Sequence, residues 1–289
     1  GYNALTANTT GAQNIAVGGG AMQLNTTGSD NCAYGFGAMG NASNTGSGRN
    51  NGFGYEALQD LTTGTQNQAM GFQAGANLTT GSYNNIMGAE AMENSTTASN
   101  CVAIGHDTLR NNDANSLVAI GFQALTANTT GIENTAIGYH ALDANTTGQH
   151  NTAVGHQALT ANTTAQYNTA VGRNALASNV TGEYNTAIGM DALENNTAAA
   201  NTACGVRALE ANTTGTQNQA LGYYALRNNT TGSYNNAFGY KALEDNTTAS
   251  YNCAFGHECL KETTSGWGNT AMGFRAGQDI TGAWGCTFI

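Results

Sequence analysis

The 289-residue chain contains no proline and only two tryptophans, and charged residues make up 9% of it. That composition is unlike an ordinary globular enzyme, and equally unlike the charge-rich composition of a disordered tail. Positive charge is scarcest: eight Lys and Arg stand against eighteen Asp and Glu, for a formal net charge of −10. The bases are scattered one at a time along the chain. A nucleic-acid groove needs clustered cations to neutralise phosphates, so no nucleic-acid partner is expected. No stretch approaches the roughly 18 apolar residues of a membrane-spanning helix, and no basic segment precedes an apolar run, so neither membrane insertion nor a signal peptide is expected. The phosphate-cradling patterns GxGxxG and GxxxxGK[ST] have no strand-to-helix context here, and no Asp recurs in the register of a GGxGxDxUx calcium repeat. The expected cofactor and metal content is therefore none.

What fills the chain instead is one sentence repeated sixteen times, NTA[IV]GxxALxxNTTGxx, at intervals of 16 to 19 residues and nearly always 17. Taking the central glycine as position 5, the copies place Gly18, Gly35, Gly54, Gly71, Gly88, Gly105, Gly121, Gly138, Gly155, Gly172, Gly189, Gly205, Gly222, Gly239, Gly256 and Gly273 in one column. Position 1 is Asn14, Asn31, Asn50, Asn67, Asn84, Asn134, Asn151, Asn168, Asn185, Asn201, Asn218, Asn235, Asn252 and Asn269, with Cys101 and Leu117 as the exceptions. Position 3 is Ala except at Gly52 and Ile86, position 4 is always apolar or aromatic, and position 9 is Leu or Met except at Gly75 and Gly277.

A fixed short period overrides the length prior of two domains, because each unit can bury its apolar face only against its neighbours. The expectation is a single domain over residues 1–289, an all-β parallel β-solenoid of about 17 coils forming a rod of about 80 Å at ~4.8 Å per coil. Within a unit, NTA[IV]G makes a short strand. The glycine supplies a conformation or close approach that a Cβ forbids, and NTTG turns the corner. The intervening xxAL segment is either a second short strand or a single helical turn. Stacking in register puts like on like, so Asn amides can bond from coil to coil along the axis. The recurring Asn, Gly and Thr are thereby given structural roles.

Positions 3 and 4 point to opposite faces of a strand, and both are apolar. The larger residue is expected to fill the coil and the Ala face to meet another surface, which predicts a homo-oligomer, with a trimer as the expected stoichiometry. The partial repeats at residues 1–13 and 285–289 carry no capping segment, so an open-ended domain is expected, part of a longer fibre or stacking end to end.

No catalytic constellation emerges. His106, His156 and His257 share position 6, His140 falls at position 7 and His150 at position 17, where other copies carry Tyr, Phe, Gln or Glu. Cys253, His257 and Cys259 in CAFGHEC are the best metal candidate, but the glycine and the strand alternation point them different ways. Among the cysteines, Cys204 is expected to be a small buried hydrophobe, and Cys253 and Cys286, placed at position 2, lie too far apart for a bridge. Two surface features suit recognition. Aromatics cluster at positions 6 and 17, among them Tyr83, Tyr139, Tyr167, Tyr184, Tyr223, Tyr234, Tyr240 and Tyr251, and such a stripe suits a cell-surface glycan or protein receptor. The NTT triplet is also a glycosylation acceptor at Asn8, Asn25, Asn128, Asn145, Asn162, Asn212, Asn229 and Asn246. The position-13 threonines, from Thr9 to Thr247, form a ladder that raises ice binding as a rival function. The longest unit, Asn31 to Arg49, is expected to bulge through its GNASNTGSGR tail.

The strand motif, NSLVAIG at Asn115 to Gly121 and NCVAIG at Asn100 to Gly105, resembles the head repeats of YadA-like trimeric autotransporter adhesins. The full unit, NTAVGHQALTANTTAQY at Asn151 to Tyr167, resembles repeats in phage tail fibres and related bacterial surface fibres. The resemblance covers essentially the whole chain, although YadA-like repeats are shorter. It implies a left-handed parallel β-roll, an extracellular location on a virion tail fibre or a bacterial surface, and an adhesive, structural, non-enzymatic role.

Overall fold

The computed structural model describes residues 1–43 and 48–289. The chain divides into two compact units, Gly1–Thr147 and Gly148–Ile289. The first carries eight strands, from β1 (Ile15–Val17) to β8 (Thr135–Ile137), and the second carries nine, from β9 (Thr152–Val154) to β17 (Thr287–Phe288). Strands of successive coils within a unit pair in parallel with like facing like: Ile15 opposes Cys32 and Ala16 opposes Ala33, and in the second unit Thr169 opposes Thr186 and Val171 opposes Ile188. No helix occurs among the described residues. The protein is an all-β parallel β-solenoid with one coil per 17-residue repeat.

The interior reverses the expected assignment of faces. Position 3 is inside: Ala136, Ala153, Ala170 and Ala187 have no exposed surface, and the Ala and Leu of positions 8 and 9, such as Ala192 and Leu193, join them. Position 4 is outside, with Met70 52% and Leu221 47% exposed. The reason is the width of the coil, in which the strand and the segment carrying Leu at position 9 approach so closely that only a methyl fits opposite the leucine. The exceptions establish this. Gly75 removes the leucine, Ile86 of the next coil replaces its alanine, and a Cβ built on Gly75 would lie 2.9 Å from Ile86 Cδ1. Gly277 and Phe288 repeat the exchange, at 3.0 Å.

This coupling yields a test. Ile86→Ala alone leaves a cavity and is expected to cost about 2–4 kcal/mol, and Gly75→Leu alone overpacks the coil by about 1–3 kcal/mol. The double variant restores the common pairing and is expected to lie within about 1 kcal/mol of the parent. Additive losses in a denaturant-based double-mutant cycle would show that the two sites do not share one volume.

Register also places the C-terminal residues. Thr287 opposes Thr270 and Phe288 opposes Ala271, so Cys286 occupies position 1, one place earlier than the sequence alignment puts it, and its N–H donates to Asn269 Oδ1 at 3.0 Å. In the long unit, residues 44–47 of the GNASNTGSGR tail lie outside the described residues. The register has returned by Gly48, whose N–H donates to the Ser29 carbonyl at 3.0 Å.

The xxAL segment is neither strand nor helical turn. Positions 7 and 9 are left-handed, as at Asp191 (φ 56°) and Leu193 (φ 52°). Their amides point along the solenoid axis in opposite senses: Asp191 N–H donates to Arg173 of the preceding coil (2.9 Å) and Leu193 N–H to Ala208 of the next (3.0 Å). Ala192 between them closes a turn on Gly189 (3.3 Å). Left-handed leucine costs roughly 1–2 kcal/mol, which complete burial of the side chain, worth about 1.5–3 kcal/mol, offsets.

Two buried amide ladders complete the interior. At position 1, each Asn Oδ1 accepts the next coil's backbone N–H, as Asn168 donates to Asn151 (3.0 Å) and Asn185 to Asn168 (2.9 Å). At position 12, amides reach their own corner and in several coils also the preceding one: Asn212 Nδ2 donates to Asn196 Oδ1 (2.7 Å) and to the Gly215 carbonyl (2.9 Å), whereas Asn179 Nδ2 donates only to the Gly182 carbonyl (2.9 Å). Where the next coil lacks Asn at position 12, as at Ala42 and Thr263, the amide oxygens of Asn25 and Asn246 are left buried without a donor.

Candidate functional site

With the interior closed by Ala, Leu and Asn, chemistry available to a partner lies on the outer face of the strands. Strand alternation sends positions 2, 4 and 6 outward, and position 17 flanks position 2, because Ala200, Gln217 and Tyr234 line one depression together with Thr202, Gln219 and Asn236. Positions 2 and 4 hold no charged residue in any copy. Position 4 is an unbroken apolar column within each unit, among it Met87, Ile188, Leu221 and Phe255, all at least 40% exposed. Cys204 belongs to this column and is half-buried on the outer face, not a core residue.

The predicted tyrosines fall on two columns rather than one stripe. Tyr139, Tyr223 and Tyr240 lie at position 6, and Tyr83, Tyr167, Tyr184, Tyr234 and Tyr251 at position 17. All are exposed. In the position-6 column, Phe36, Tyr55 and Phe72 stack at 5.6 and 5.3 Å, His106, Phe122 and Tyr139 at 5.5 and 5.4 Å, and Tyr223, Tyr240 and His257 at 5.5 and 4.8 Å. Within each stack the facing ring surfaces are therefore covered by the neighbouring coil, and the column presents edges and hydroxyls outward. Tyr83 stacks on no ring among the described residues, because Gln66 and Asn100 occupy position 17 of the adjacent coils. The side-chain hydrogen bond between Tyr223 and Tyr224 raises the Tyr223 phenol above its usual range and holds Tyr224 below it.

A second feature escaped sequence reasoning: charge gathers at positions 7 and 10. Arg110 bridges Glu90 (3.1 Å), Glu93 (2.6 Å) and Asp107 (3.3 Å), Arg227 meets Glu210 (2.8 Å), and Arg275 meets Glu258 (2.7 Å). Arg207, Arg227 and Lys241 also surround the Tyr224 ring at 6.0, 4.5 and 5.8 Å. Burial, with Asp191 and Glu210 nearby, raises Glu194 above the usual carboxylate range. Single scattered bases in sequence become counter-ions once 17 residues equal one coil, and that arithmetic was the signal available.

Glu90, His106 and Asp107 have ligand-capable atoms within 4.8 Å of one another. Arg110 already supplies their positive charge, which argues for an ion-pair cluster. The CAFGHEC residues separate: Cys259 is buried, whereas His257 stacks in the outer column. Burial raises the thiols of Cys101 and Cys259 to about 11, which leaves both unreactive near neutrality. All six cysteines are free.

The sequon asparagines turn inward. Asn25, Asn128, Asn145, Asn162, Asn212, Asn229 and Asn246 are fully buried, and both amide protons of Asn212 are committed, so the folded coil does not offer these nitrogens for modification. The position-13 hydroxyls are engaged as well. Thr129, Thr213 and Thr230 each donate to the next coil's threonine carbonyl at 3.0 Å. A ladder whose donors are spent on backbone is a poor template for ordering water.

No protein-family description, curated protein or solved structure matches this chain.

Proposed function

We propose that this chain is a non-catalytic repeat region of an extracellular fibre or adhesin, whose copies associate side by side through position 4 and position 6 and serve attachment to a cell or surface. One observation carries the reading: an apolar or aromatic side chain stands at position 4 in every copy, large in nearly all of them, although the interior is complete without it. The strip across positions 4 to 6 is roughly 7 Å wide, which over eight coils gives about 270 Å² per unit, close to the size of the largest apolar patch a monomer ordinarily exposes, and it leaves position 2 uncovered. Covering it removes that area from water, and the ring edges of position 6 extend the contact. A second copy fits the electrostatics. At a net charge of −10 two chains repel each other, and the strand face, where positions 2 and 4 carry no charge and position 6 carries Arg173 but no acidic residue, is where they can meet with little repulsion. The extracellular, adhesive setting rests on the likeness to YadA-like heads and tail-fibre repeats.

Sedimentation velocity at micromolar concentration is the test. The parent chain is expected to sediment as an oligomer, and Ile188→Lys with Leu221→Lys to shift it toward monomer while the circular dichroism stays unchanged. A monodisperse monomeric parent would sink the reading.

A further inference from the structure

The aromatic column at position 17 is interrupted once in the second unit. Tyr167 and Tyr184 stack at 5.2 Å with an interplanar angle of 4°, and Tyr234 and Tyr251 at 4.9 Å and 2°. Between the pairs, the next two coils carry Ala200 and Gln217. Tyr184 and Tyr234 are thus about 14 Å apart, three coil spacings of ~4.8 Å, with two rings missing. The face of Tyr184 toward Ala200 and the face of Tyr234 toward Gln217 have no ring against them, and they face each other across the gap, whereas the open face of Tyr251 toward Gly268 lies at the end of the column.

A depression of about 350 Å³ lies in this gap, lined by Ala200, Thr202, Gln217, Gln219, Tyr234 and Asn236. That volume is at the small end of ligand sites. The side chains of Thr202, Gln217, Gln219 and Asn236 make no hydrogen bond to the rest of the described residues, so three amides and a hydroxyl stand beside an open aromatic face. No charged residue lines the space.

We propose that this gap binds a neutral hexopyranose residue of a glycan, seated with its C–H face on Tyr234 and its hydroxyls on Thr202, Gln217, Gln219 and Asn236. An aromatic ligand would cover the ring equally well but would strip water from four polar side chains and return nothing to them. A sugar ring has an apolar face for the tyrosine and both donors and acceptors for the amides. The uncharged lining selects against acidic sugars, whose carboxylate would lose hydration without a counter-ion. The site names the ligand class for the attachment reading, on which its biological use rests, while its geometry is independent of that reading.

Saturation-transfer difference NMR on the full chain tests the site, with glucose, galactose, mannose and N-acetylglucosamine as millimolar probes and phenol as the aromatic control. Transfer to at least one sugar is expected, falling about tenfold or more in Tyr234→Ala and in the double variant Ala200→Tyr with Gln217→Tyr. The double variant refills the column with the ring it carries at Tyr167 and Tyr184, so retained circular dichroism shows that the fold is intact. No transfer to any of the four sugars, transfer to phenol alone, or transfer unchanged in the refilled variant would overturn the proposal. An oligomeric parent without sugar transfer removes this site and leaves the fibre reading standing, whereas a monomer that retains sugar transfer does the reverse.

Discussion

Gly222→Ala is expected to destabilise the second unit by more than about 4 kcal/mol, or to prevent its folding, a loss in the range that marks a named structural fault. Two causes act together. Gly222 has φ +140°, in a region essentially closed to residues with a Cβ. A Cβ placed there would also lie 2.3 Å from the Gly239 carbonyl oxygen and 2.7 Å from its carbon, both backbone atoms of the next coil. The coils cannot move apart to make room, because Gly222 N–H donates to the Cys204 carbonyl and Gly239 N–H to Leu221, each at 2.8 Å. Gly282→Ala is the matched control. It has no positive φ, and its Cβ would meet only Ser265 Oγ at 3.6 Å, so a change within about 0.5 kcal/mol is expected. Urea unfolding followed by circular dichroism compares the two. Equal midpoints would mean that the glycine column is tolerated rather than required.

Much of this architecture was legible because a strict repeat converts sequence position into spatial position. Asn151, Asn168 and Asn185 were readable as a stacked column, and Gly222 as a site of close approach, from recurrence alone. Which face of the strand turns inward was not readable. Ala170 and Val171 are both apolar, so alternation divides them without saying which side is solvent, and the width of the coil decides. The information was present in the exceptions, but one coil apart: Gly75 compensates Ile86, and Gly277 compensates Phe288, each pair linking position 9 of one unit to position 3 of the next. The left-handed leucines were hidden for another reason. Residue preferences make positive φ rare for leucine, and what offsets its cost, the burial of the side chain together with the axial bond from Leu193 N–H to Ala208, exists only once the coils stack. The candidate site was legible as residues and not as a place. Tyr184 and Tyr234 were named for being aromatic, yet what distinguishes them is the pair of small or polar neighbours, Ala200 and Gln217, that leaves each with an open face.

Asn218→Ala is expected to cost about 3–5 kcal/mol, although it removes only an amide group from an uncharged position. Asn218 is fully buried. Its Nδ2 donates to the Gly232 carbonyl (2.8 Å) and to Asn201 Oδ1 (3.3 Å), and its Oδ1 accepts the backbone N–H (3.0 Å) and Nδ2 (3.2 Å) of Asn235. Alanine keeps the backbone in place and leaves the Gly232 carbonyl and the Asn235 N–H buried, each at roughly 1–3 kcal/mol. Asn218→Asp separates the two halves of this bond set, since it retains the acceptor for Asn235 and, once ionised, has no donor for Gly232. Burial disfavours the ionised form, so the folded carboxyl titrates above the ~3.9 of an unfolded aspartate. Its contribution is fully present below that unfolded value and is lost as pH rises toward the folded one, so the variant is expected to weaken progressively from about pH 4 upward. Urea midpoints across that range check the sign. A pH-independent deficit would place the carboxylate in water and the position-1 column outside the core. The two exceptions within the column, Cys101 and Leu117, are consecutive and Cys286 only ends it, so the ladder is interrupted in one place, which is the arrangement expected where each break leaves buried backbone groups exposed to that cost.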